Sequence, residues 1–211
     1  MQLYVRQRQS RDKQPLKQLK AFQRVALQPG ETKTVRLKVR EKDLAHWDVT
    51  RSKWVVETAT YDVLVGASSA DIRTRTAWPV RGETIPPRDL SRSTRAENFD
   101  DYDAVRLVDE SKVRGTAVAA SADGAWLKFA DAGLGRGASA FSARVAGAPG
   151  TVEVRLGAPD GPLAGTARFA GTSSPYEYGT VTAGLSAAAR GRTDVYLVLS
   201  GGLRLSAFTL R

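Results

Sequence analysis

Among the residue types that carry out chemistry, this chain offers one histidine and no cysteine. Cys/His nucleophile pairs, thiolate metal sites and multi-histidine clusters are therefore excluded together. His46 stands in Leu44-Ala45-His46-Trp47-Asp48, between two strand-like runs, where a packed or turn histidine is expected and a catalytic one is not. Asp100, Asp101 and Asp103 are nearly contiguous in a polar segment. Carboxylates that cleave a glycosidic bond must face each other across a cleft, so this trio reads as a loop or a cation site. Gly133-Leu134-Gly135-Arg136-Gly137 has the composition of a phosphate-cradling loop, yet a strand pattern follows it from Ala140. Phosphate binding needs a helix N-terminus there, so a hairpin loop is expected.

Aromatic residues remain. Tyr176 and Tyr178 sit in Thr172-Ser173-Ser174-Pro175-Tyr176-Glu177-Tyr178, a polar loop containing proline. Exposed rings on such a loop make a platform on which the C–H face of a sugar can stack. The same two rings could instead fold onto the edge of the domain. Trp126 follows the turn Asp123-Gly124 and opens an apolar run, so it reads as core.

The elements that must position these residues are strands. Period-two alternation dominates and helical periodicity is nearly absent. Strands are predicted over residues 3–5, 18–27, 34–40, 54–57, 61–65 and 72–80, separated by turn signals such as Gln28-Pro29-Gly30. Residues 81–94 are polar, contain Pro86-Pro87 and show no periodicity, which predicts a linker between domains 1–80 and 95–211. Beyond it, strands at 126–130, 140–145, 151–156, 167–170, 179–183, 194–199 and 203–210 recur near every ten residues. That spacing predicts an all-β sandwich.

Charge is unevenly spread. Residues 1–90 carry 18 Lys and Arg against 10 Asp and Glu, a net of +8, whereas residues 91–211 carry 14 against 12. The basic residues of the first part alternate with apolar ones, as in Val35-Arg36-Leu37-Lys38-Val39-Arg40. Alternation spreads charge over the solvent face of a strand, so no nucleic-acid partner is expected. No apolar run is long enough to span a bilayer, so no membrane partner is expected either. The first residues, MQLYVRQRQSRDK, lack the apolar stretch of a secretion leader.

The segment from Pro15 to Val25, then Leu27-Gln28-Pro29-Gly30-Glu31-Thr32, Asp43-Leu44, Trp47-Asp48 and residues 61–73 resemble, in order, the fibronectin type III-like domain of glycoside hydrolase family 3 enzymes. The resemblance implies a parent of the β-glucosidase or β-xylosidase type, expected to be secreted, whose catalytic domains are missing partners of this chain. It also begins at a middle strand. About two opening strands are expected to be lacking, with residues 1–80 marginally stable alone.

Residues 95–211 resemble, more loosely, a family 6 carbohydrate-binding module. Arg95-Ala96-Glu97-Asn98-Phe99-Asp100 is similar to its acidic opening, and Gly124-Ala125-Trp126-Leu127-Lys128-Phe129 to its Gly-Asp-Trp strand. The implied fold is a β-jelly roll of the galactose-binding-like kind, so the whole chain is expected to be two β-sandwiches in tandem. The implied ligand is a polysaccharide or oligosaccharide, contacted by Tyr176 and Tyr178 with Arg204 as donor in place of a family Asn. One cleft aromatic of the family falls at Ala120. The family's structural calcium finds a carboxylate at Glu97, but Arg95 and Ser206 stand where two others are expected, so no cofactor is required and calcium would be held poorly. The expected role is a non-catalytic accessory module; a structural spacer that has lost glycan binding is the alternative.

Overall fold

Alternation makes strands only where a neighbouring strand completes the ladder, and the two halves of this chain differ in that respect. The computed structural model describes residues 1–211. It contains seventeen strands, two short 3-10 turns and no α-helix, so the chain is all-β. The chain divides into two compact units, residues 1–85 and 86–211.

The first unit holds β1 (Gln2–Gln7), β2 (Gln18–Phe22), β3 (His46–Asp48), β4 (Lys53–Val55), β5 (Ala59–Gly66) and β6 (Ile72–Val80). The order β2-β1-β5-β6 makes one antiparallel sheet, and β3 pairs with β4 as a separate hairpin. Leu3, Val5, Leu44, Tyr61 and Val80 form its small core. The strand predicted at 34–40 is absent as a strand. No neighbour lies in hydrogen-bonding position, so its alternation only sorts Leu37 and Val39 against the core while the basic side chains stay outside. The chain that packs against this sheet is thus irregular, through Leu37, Val39 and Leu44.

The second unit holds β7 (Thr94–Arg95), β8 (Asp101–Asp103), β9 (Val105–Asp109), β10 (Thr116–Ala120), β11 (Ala125–Gly135), β12 (Ala140–Gly147), β13 (Gly150–Leu156), β14 (Leu163–Phe169), β15 (Gly179–Gly184), β16 (Gly191–Leu199) and β17 (Leu203–Leu210). Two antiparallel sheets result, β15-β12-β17-β10-β9 with β7 beside β17, and β14-β13-β16-β11-β8. Twenty-six buried residues, among them Phe129, Phe141, Leu197, Leu205 and Phe208, fill the unit as one continuous core. Phe129 meets Phe208 edge to face at 4.7 Å.

The segment 81–94 is not a free linker. Glu83 exchanges backbone hydrogen bonds with Val56 and Thr58, and Ile85 is buried, so residues 81–85 extend the first unit. Arg88 bridges to β11 through Asp131 and Gly133, and Leu90 is fully buried, so 86–94 edges the second. Leu90 and Ile85 are the apolar anchors that a polar, proline-containing stretch conceals. The glycine-rich stretch 133–137 is also not a hairpin loop: it ends β11 and carries the chain across to β12 in the other sheet.

Candidate functional site

The candidate residues of the second unit gather at the start of β17. Arg204 pairs with Ala119 of β10 on one side and Ala146 of β12 on the other, so its side chain rises from the middle of the sheet. It meets the loop between β14 and β15. Its guanidinium lies 5.3 Å from the ring centroid of Tyr176 and donates to the carbonyl of Pro175 at 3.3 Å. Asp109 offers a second carbonyl at 3.5 Å.

That loop is pinned from below. Thr172 donates its N–H to the Gly147 carbonyl and accepts the Gly147 N–H on its hydroxyl at 3.1 Å. Gly147 has φ +94°, and a Cβ there would stand 2.6 Å from the Gly202 carbonyl. A side chain at 147 would therefore part the two turns that seat the loop. Farther along, the Glu177 N–H donates to the Ser174 carbonyl and the Ser173 hydroxyl to the Glu177 carboxylate at 2.9 Å. The loop is ordered without contributing to the core, which is what a binding loop requires.

The two tyrosines separate in character. Tyr176 is 40 % exposed. Tyr178 is half-buried, its enclosed hydroxyl lies near Arg204, and the Arg144 guanidinium lies 5.2 Å from its ring centroid. Burial pushes the Tyr178 phenol pKa up. Of the pair, Tyr176 is the ring that can meet a ligand, and Tyr178 supports the loop beneath it. At Ala120 there is a buried methyl group and no ring.

Trp126 is not a core residue. Along β11 the burial alternates, with Ala125, Leu127 and Phe129 inward, so Trp126 and Lys128 face out. The indole packs edge-on against Tyr196 at 5.4 Å and borders a shallow depression with Asp103, Glu153 and Arg155.

The positions implied for calcium hold a cation of another kind. The Arg95 Nε donates to Glu97 at 3.1 Å, Nη1 to the Ser206 hydroxyl at 3.2 Å and Nη2 to Glu110 at 3.0 Å, and Nη2 also donates to the Thr116 carbonyl. Ser206 in turn donates to Glu110 at 2.6 Å, and Arg144 lies 3.5 Å from the same carboxylate. No three His, Asp or Glu side chains converge as a metal site would need. The donor set does not fit calcium, which takes six to eight oxygens around one point. Burial tends to raise the Glu110 pKa, but the Ser206 hydrogen bond and the Arg95 charge outweigh it and hold the carboxyl below its ordinary value.

The acidic trio is likewise no cation site. Asp100 accepts both hydrogen bonds from one nitrogen of the buried Arg88, at 2.7 and 2.9 Å, and a third from the Ala130 N–H. Asp101 and Asp103 lie exposed on β8. His46 faces Asp12 at 3.2 Å within an ionic cluster under the β3–β4 hairpin, far in role from any nucleophile.

Glu110 and Arg144 escape sequence reasoning. Glu110 sits in the turn Asp109-Glu110-Ser111, and only the return of β17 sets it beside Ser206.

Comparison with known proteins comes to the same two units. Residues 1–69 match the profile of the fibronectin type III-like domain, and residues 95–211 that of carbohydrate binding module (family 6). Neither is a catalytic domain type. A probable β-glucosidase L of Aspergillus fumigatus is 45% identical over 80 residues, which is 38% of this chain and 11% of the relative. The chain thus spans about a tenth of the length of such relatives. Among solved structures, a family 6 module of Clostridium stercorarium in complex with cellobiose is 29% identical with TM-score 0.54, covering 59% of this chain and 95% of that one. A Clostridium cellulolyticum module in complex with xylose is 27% identical with TM-score 0.55, covering 58% and 98%.

Proposed function

Because the chain belongs, through residues 95–211, to the family 6 carbohydrate-binding modules, we propose that its second unit holds a polysaccharide or oligosaccharide chain at the loop end built around Tyr176. The observation that carries this reading is the meeting of an exposed ring and a guanidinium engaged only by neutral groups. Tyr176 presents a stacking face, and Arg204, which makes no ion pair with a carboxylate, stands beside it with N–H groups left for sugar hydroxyls. The Arg204–Tyr176 contact does not bar a ligand. An exposed cation–π contact is worth about 0.5–1 kcal/mol, whereas a ring stacked on a single aromatic contributes about 1–3 kcal/mol by analogy with nucleobases. The guanidinium can swing aside and keep one hydrogen bond.

The first unit then acts as a structural module in a longer carbohydrate-active protein of the β-glucosidase kind, whose catalytic domains lie elsewhere. Support comes from the relatives matched by residues of this unit, which are β-glucosidases. Such a protein would work on plant or microbial polysaccharide outside the cell.

A second reading is favoured by Ala120, where a ring is replaced by a methyl group, and by the guanidinium lying over the remaining ring. In that reading the module is a spacer. Affinity electrophoresis of the whole chain through β-glucan, xylan and arabinan separates the two. Retardation by at least one glycan, lost in Tyr176→Ala and kept in Trp126→Ala, is the expected result. Retardation lost only in Trp126→Ala would move the site to the outer sheet face. No retardation by any glycan would leave the spacer.

A further inference from the structure

We propose that Arg95 is a resident cation of the second unit, joining its first strand, the β9–β10 turn and its last strand, so that this unit folds without a divalent metal ion.

Arg95 leaves β7 opposite Ala207 of β17 and reaches the nearby Glu97, both flanks of the β9–β10 turn at Glu110 and Thr116, and Ser206 on the last strand. Ser206 stands 111 residues from Arg95, so the contact ties the two ends of the unit together. A bound metal ion performs this service in many small β-domains, gathering carboxylates that would otherwise repel one another. Here the planar fork of nitrogens does so, with each nitrogen at hydrogen-bond distance from an oxygen.

Charge closes the argument. Glu97 and Glu110 supply two negative charges, and Arg95 and Arg144 answer both. The cluster is neutral and has no net field with which to draw a second cation. Glu97 Oε2 is the one enclosed carboxylate oxygen of the cluster without a partner. A single oxygen facing a guanidinium falls well short of the six to eight that calcium requires. Burial works against the charge on Arg95, yet the hydrogen bonds it donates to Glu110 and Glu97 more than compensate, and its pKa rises. The guanidinium therefore stays charged at every pH at which the unit folds.

The cluster also touches the ligand loop. Glu110 holds Arg144, and Arg144 covers the ring of Tyr178. Three contacts, through Glu110 and Arg144, thus link Arg95 to the loop.

The test is the thermal unfolding of the whole chain, with hydrogen exchange assigning each transition to its unit, in chelator and in millimolar calcium. The wild-type second unit is expected to melt at the same temperature in both. Arg95→Met is expected to lower that transition by roughly 4–8 °C in either medium. The double substitution Arg95→Glu with Ser206→Asp, which returns carboxylates to the cluster, is expected to melt higher in calcium than in chelator. A wild-type transition that rises with calcium would overturn the proposal. So would an Arg95→Met transition equal to wild type, or a double variant indifferent to calcium.

Discussion

The two units solve the burial of a β-sheet face in opposite ways. In the second, each sheet covers the other, and an unbroken apolar core of twenty-six residues lies between them. In the first, one sheet is backed by irregular chain, with Leu37 and Val39 packed on a core cluster of only five buried residues, Leu44 among them. What the first lacks in core it makes up in ionic contacts. Asp48, fully buried, is met by Arg51 at 2.6 Å and Arg11 at 3.3 Å; Arg51 reaches on to Glu83, and Arg11 to Asp12. The second unit uses ion pairs as well, a buried one at Arg88–Asp100 and a half-buried one at Arg95–Glu110, but as ties between segments whose packing is already complete. A unit held by charge is sensitive to pH and to the loss of a single partner. A unit held by packing is sensitive to volume.

The largest effect should come from removing volume where packing dominates. Phe129→Ala takes away a ring with no exposure at the centre of the second core and is expected to cost about 3–5 kcal/mol. Hydrogen exchange should quicken across residues 86–211 and remain as it was across 1–85. Exchange that quickened equally in both would deny that the units are separately held.

Next in size is the removal of charge where charge dominates. Asp48→Ala leaves Arg11 and Arg51 unanswered beneath the hairpin and is expected to cost about 3 kcal/mol. With so small a core behind it, the first unit should then lose protection as a whole, while a comparable loss at Arg88 in the second stays within tolerance. If Asp48→Ala left β5 protected, the first unit would have more core than the structure shows.

Acid gives the smallest and most graded effect. Burial tends to raise the Asp48 pKa, but hydrogen bonding from Arg51, the charge of Arg11 and the N–H groups of Thr50 and Arg51 outweigh it and hold it low. For Asp12, burial is likewise overcome by the His46 hydrogen bond and Arg11. A carboxyl whose pKa is lower folded than unfolded stabilises the fold fully above its unfolded value, about 3.9 for Asp, and loses that contribution as pH falls through the folded value. Glu110 of the second unit is held low as well, but the first unit has the smaller core behind its carboxylates and should open first on acidification below about pH 4. Circular dichroism with hydrogen exchange checks the order, and a second unit that opened first would reverse the comparison.

Much of this contrast is legible in the sequence, and the rest fails for physical reasons. Alternation identifies β1, β5, β6 and most of β11 to β17, because a half-buried strand must alternate. The same alternation misleads at 34–40, since it reports which side chains point inward and says nothing of whether a partner strand exists. At Trp126 it holds the right answer: Leu127 and Phe129 are the inward residues of β11, and the indole must then face out. The strands β8 to β10 escape because Asp101-Tyr102-Asp103 resembles a loop and Thr116–Ala120 is too rich in alanine to show a period. Tyr176 and Arg204, 28 positions apart, are brought together only by the return of β17 beside the pinned loop. Arg95 is visible as a departure from an acidic pattern, but its engagement of Glu110 requires the fold.

Glycan is proposed to be held at the Tyr176 loop. The most direct measurement is a backbone amide NMR titration of the whole chain with cello- and xylo-oligosaccharides. Saturable shifts confined to residues 171–178, 202–204 and the neighbourhood of Asp109 are predicted, absent in Tyr176→Ala. Shifts centred instead on Trp126, Lys128 and Glu153, or spectra unchanged by any oligosaccharide, would contradict it.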